Sequence, residues 1–63
     1  MSIGEKVKML RKRSGLTQSE LGQKVGVSYG QICMIERGTR ALSLAVAKDM
    51  AVVFECKVED LCE

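Results

Sequence analysis

Apolar residues along this chain recur at helical spacing, and polar helix-capping residues stand just ahead of each apolar stripe. Ser2 precedes Ile3, Val7 and Leu10, which fall at i, i+4 and i+7, one face of a helix reaching Arg13. Glu5, three residues after Ser2, completes a capping box. Ser14-Gly15 breaks that helix, and Leu16 is placed to pack as a staple ahead of Thr17. Thr17 and Glu20 form a second box, and Leu21 and Val25 put one apolar face on a helix over Gln18–Val25. Gly26 suits the left-handed end of that helix. Ser28 and Gln31 form a third box for a helix over Tyr29–Arg37, which turns Ile32 and Ile35 inward and stops at Gly38.

Two short helices joined by about three residues must cross steeply, the arrangement of a helix-turn-helix. Gly22 is expected where a crossing helix needs a small residue. At about 100° per residue, Gly30, Cys33, Met34 and Arg37 face away from Ile32 and Ile35, with Tyr29 and Gln31 on the flanks. Gly30 in a first turn fits close approach by another molecule and mere tolerance equally well. Ser43 caps a fourth helix reaching Phe54 that is apolar almost all round, so it is a central core element, a subunit contact, or both. A short fifth helix at about Lys57–Leu61 adds Val58 and Leu61.

The resulting class is all-α, a single domain over residues 1–63. A core this small is marginal alone, which favours oligomerisation. No apolar run is long enough to span a bilayer and no secretory leader is visible, so a cytoplasmic location without membrane contact is expected. The three cysteines (Cys33, Cys56, Cys62) form no CxxC pair, and histidine is absent. Reduced thiols filling space fit these spacings better than a zinc site, and no cofactor, metal or catalytic residue is expected.

Net charge is only +2, but its distribution is uneven. Residues 1–40 carry eight Lys or Arg against three acids, a net +5; residues 41–63 carry two against five, a net −3. One end should attract polyanions and the other repel them. Lys6 and Lys8 fit a solvated helix face and a polyanion contact alike.

The segments LTQSELGQKVGVS and I-x-x-IERG (Ile32–Gly38), the apolar fourth helix and VEDL together resemble the phage repressor and Cro type of DNA-binding domain, also called XRE-like. The resemblance covers nearly the whole chain. It implies a compact five-helix bundle of the lambda-repressor-like type, with the third helix in the DNA major groove and a two-fold dimer. Carried over by position, Gln18 contacts a phosphate and braces the third helix. Ser28, Tyr29, Gly30, Gln31 and Met34 fall in the base-reading region, while Arg37, Thr39 and Arg40 meet the backbone. Arg11 ties the first helix to Glu36 on the third and also lies near a phosphate. The chain departs from the family at Tyr29, Gly30 and Met34, since none of these bonds a guanine or adenine edge in bidentate fashion. Contact with thymine methyls and readout of DNA shape are expected instead. Glu55 replaces the usual glycine after the fourth helix, and Ala41-Leu42 the usual Asn-Pro before it.

The function implied is a sequence-preferring, double-stranded-DNA-binding transcriptional regulator, not an enzyme, dimeric through its fourth and fifth helices. Two other readings stay open: an antitoxin or controller protein with a protein partner, and an interaction module that kept the fold without the DNA role.

Overall fold

The computed structural model describes residues 1–61, and Cys62, expected as a reduced thiol, lies outside them. Four α-helices follow in order: α1 (Ile3–Arg13), α2 (Gln18–Val25), α3 (Tyr29–Arg37) and α4 (Leu44–Phe54), then a 3₁₀ turn at Val58–Leu61. The last of these is the short fifth helix expected at about Lys57–Leu61, wound as 3₁₀ rather than α. The Asp60 N–H donates to Lys57 O at 3.0 Å, and the Asp60 carboxylate accepts from the Lys57 N–H at 3.1 Å. This tight turn brings Leu61 back into the core, where it is fully buried.

All four helices begin at the hydroxyl residues that the pattern marks. Ser2, Thr17, Ser28 and Ser43 each accept the backbone N–H three residues on. The first three boxes are reciprocal, with Glu5, Glu20 and Gln31 reaching back to the cap N–H. These bonds hold the Glu5 and Glu20 carboxyls below the usual range, backbone hydrogen bonding at Ser2 and Thr17 being the main cause. α2 ends at Gly26 with φ +75°, a left-handed turn that swings the chain directly into the Ser28 cap. α4 ends the same way at Glu55, φ +55°, the one non-glycine residue at positive φ among those described.

Val7, Leu21, Ile32, Met50 and Leu61 are fully buried, one from each element, with Val25, Ile35, Ala47 and Ala51 around them. Leu16 is half-buried against this core, the position of a staple before the Thr17 cap. α3 packs on both α1 and α2, while α4 packs on α2 and the 3₁₀ turn. α1 meets α3 at Gly4, where an added Cβ would stand 2.5 Å from Glu36 O and 2.6 Å from Ile35 O. Gly22 gives the expected close approach where α3 starts: an added Cβ would stand 2.7 Å from Val27 O and 3.5 Å from the carbonyl of Ser28, the cap of α3. No described helix is long and apolar enough to cross a membrane.

Candidate nucleic-acid interface

α3 stands between α1 and α2, and one buried polar network locks the three together. Arg11 Nε donates to Glu36 Oε2 at 2.7 Å, and a terminal guanidinium nitrogen donates to Oε1 at 3.2 Å. The other terminal nitrogen donates to Leu16 O at 2.9 Å, on the turn leading into α2. Gln18 Nε2 donates to the same Glu36 Oε1 at 3.1 Å, and Gln18 Oε1 accepts the Cys33 thiol at 3.2 Å. The Arg11 and Glu36 side chains are only 10% and 3% exposed. A charged pair this deep survives because almost every donor and acceptor is matched. Among the described residues no buried side-chain nitrogen or oxygen lacks a hydrogen-bond partner.

Outside this lock, the start of α3 is open. Ser28, Tyr29 and Gly30 are exposed, and Tyr29 keeps 57% of its surface. A Cβ built on Gly30 meets nothing nearer than Ser28 Oγ at 3.9 Å, so the backbone there faces empty space. The Cys33 thiol beside Tyr29 pushes its phenol above the ordinary range, and Tyr29 presents a neutral hydroxyl. Gln31 is half-buried: its Oε1 is committed to Ser28, which leaves its amide N–H groups as the outward donors. Met34 is half-buried on the same outer side. At the far end, Arg37, Thr39 and Arg40 are exposed in sequence. Thr39 closes α3, its N–H and hydroxyl both donating to Met34 O at 3.0 and 3.3 Å.

The candidate residues thus fall into two groups. Ser28, Tyr29, Gly30, Gln31, Met34, Arg37, Thr39 and Arg40 form one accessible strip along α3 and the loop after it. Arg11 and Gln18 lie underneath and hold α3 in place. Gly4 carried no signal as a site residue, although its bare backbone lets α1 approach closely enough for Arg11 to reach Glu36. Cys33 and Cys56 are free thiols, and burial pushes the Cys56 thiol up, with Asp60 adding to the shift. Among the described residues, no three His, Cys, Asp or Glu side chains are grouped to hold a metal ion.

Comparison with known proteins matches this geometry. A helix-turn-helix family model covers residues 7–61. YgzD of Bacillus subtilis, an uncharacterized HTH-type transcriptional regulator, is 41% identical over 56 residues, 89% of this chain and 85% of its own. SinR of Bacillus subtilis, a master regulator for biofilm formation solved in complex with DNA, superposes with a TM-score of 0.88 at 31% identity. That match covers 97% of this chain and 98% of the SinR chain solved with DNA, and 60% of the SinR chain solved with SinI. The P22 c2 repressor, solved with a synthetic operator, gives a TM-score of 0.90 at 26% identity over 97% of this chain and 92% of its own. The chain belongs to the helix-turn-helix family of transcriptional regulators, of the repressor and Cro (XRE-like) type, and is a DNA-binding regulator rather than an enzyme.

Proposed function

We propose that this protein sets α3 into the major groove of duplex DNA and prefers certain sequences there. The observation that carries this is the open start of α3, with Gly30 facing empty space while Arg37 and Arg40 flank the far end. The SinR and P22 c2 structures, solved with DNA and with a synthetic operator, support a DNA-binding role for this fold. Tyr29 and Met34 read thymine methyls, and the Gln31 amide and Ser28 hydroxyl supply single hydrogen bonds. Arg37, Arg40 and Thr39 meet phosphates and fix the register. Arg11 and Gln18 act mainly by holding α3, with the remaining Gln18 N–H turned to the backbone. Such a regulator works in the cytoplasm, where the DNA is.

Selection from random duplex DNA should enrich a two-fold symmetric, thymine-containing site. On that site Arg37→Ala should weaken binding to all sequences about equally and lower the salt slope by roughly one unit per half-site. A changed base preference with an unaltered slope would contradict the assignment.

The regulator acts as a homodimer through α4 and the 3₁₀ turn. Val52 and Leu44 on α4 are 78% and 59% exposed, apolar side chains that a second copy would cover. Val53, Phe54 and Val58 are half-buried against the core and keep some surface for a partner, whereas Leu61 belongs wholly to the core. Sedimentation of the reduced protein at tens of micromolar should return twice the chain mass. Val52→Lys should return the chain mass with the helical spectrum intact. A wild-type monomer throughout that range would remove the dimer from this reading.

A further inference from the structure

Lys6 and Lys8 lie two residues apart on α1, about 200° around its axis, and the fold sends them to different neighbours. Lys6 lines a groove whose other wall carries Glu55, Glu59 and Asp60. Lys8 lines an open notch of about 350 Å³ shared with Gln18, Cys33, Glu36 and Arg37. Among the described residues Glu36 is the notch's only carboxylate, and its charge is matched by Arg11 at 2.7 Å. That leaves Lys8 and Arg37 as the uncompensated charges, both exposed, one on α1 and one on α3.

We propose that this notch seats one backbone phosphate of the bound duplex, with Lys8 as its clamp from α1. The inference rests on the DNA-binding reading above and extends it to a residue outside the α3 strip. Arg11, three residues further along the same helix, has three N–H groups committed to Glu36 and Leu16. Lys8 has no such commitment among the described residues. Its ammonium is a compact charge with three rotatable donors, suited to a phosphate oxygen approaching over a polar floor. Gln18 keeps an amide N–H for the same phosphate. Because the contact goes to the backbone, it adds affinity and register without base preference.

The test uses the whole chain and one duplex, the site enriched from a random pool, with an unrelated duplex of equal length beside it. Lys8→Gln, Arg37→Ala and Lys6→Gln are compared by titration from 50 to 200 mM salt. Lys8→Gln should lower the salt slope by about 0.9 per half-site, equally on both duplexes. Its deficit relative to wild type should therefore shrink about 3.5-fold per half-site across that range. Lys6→Gln should leave the slope unchanged. Replacing single phosphates by neutral methylphosphonates should reveal one position per half-site at which wild type and Lys8→Gln bind alike.

If Arg37→Ala lowers the slope while Lys8→Gln does not, the notch assignment falls and the DNA-binding reading stands. Equal losses from Lys6→Gln and Lys8→Gln would also overturn it, since they would reflect overall charge and not a seat. A wild-type chain that binds neither duplex would overturn the DNA reading and the notch together.

Discussion

Glu36→Ala is expected to remove roughly a third or more of the protein's stability at 25 °C. Removing one member of a buried, hydrogen-bonded ion pair costs about 3–5 kcal/mol, because the other charge is left without a partner. Here the orphan would be Arg11, whose side chain is 10% exposed, and Gln18 would lose its acceptor as well. A domain of this length holds about 3–9 kcal/mol in all. Urea titration followed by helical circular dichroism gives the answer. Glu36→Gln should be milder, since it keeps an acceptor for Gln18, and replacing the pair by Met at 11 and Leu at 36 should recover much of the loss. A cost below about 1 kcal/mol for Glu36→Ala would place the pair among solvent-screened surface bridges and remove the lock as a determinant of the fold.

Gly4→Ala should likewise destabilise the fold, by about 1–3 kcal/mol net, although alanine is the better helix former by about 1 kcal/mol. The new methyl would meet the Ile35 and Glu36 carbonyls at 2.6 and 2.5 Å, and rigid backbone cannot step aside as a side-chain tip can. α1 would have to move off α3, which also stretches the Arg11–Glu36 pair between the same two helices. The identical change at Gly30 meets only open space, so there propensity decides and the isolated protein should gain up to about 1 kcal/mol. Opposite signs in one set of urea curves would confirm both assignments. A neutral or stabilising Gly4→Ala would mean that α1 does not sit on α3 this closely.

The chain announces its helix starts clearly because a cap is local chemistry: a hydroxyl and an acceptor three residues apart bind whatever the rest of the fold does. The inward sides of α2 and α3 were equally legible, since each alternates Leu, Val or Ile with polar residues. α4 was not, because a helix apolar nearly all round carries no phase. Only tertiary packing separates buried Met50 from Val52 two residues on. Gly4 was invisible for a related reason: its constraint comes from carbonyls more than thirty residues away. Gly22 is legible as a close approach, and the Val27 and Ser28 carbonyls at the entry of α3 fill its space. In the candidate site, the accessible α3 strip follows from helical periodicity, whereas the different surroundings of Lys6 and Lys8 depend on elements that periodicity does not place.

The three reciprocal boxes differ in one respect: Glu5 and Glu20 close theirs with a carboxylate, and Gln31 closes its own with a neutral amide. A carboxylate would strengthen that cap through the helix dipole, yet it would carry negative charge into the groove of a polyanion in the proposed complex. The amide forgoes the ionic part of the cap, and this gives the helices different responses to acid. Glu5 and Glu20 have folded pKa values below their unfolded ones, so their contribution is complete above the ordinary carboxylate range and disappears as pH falls through the depressed values. Acid therefore loosens the first turns of α1 and α2, while the cap that starts α3 has no proton to gain in that range.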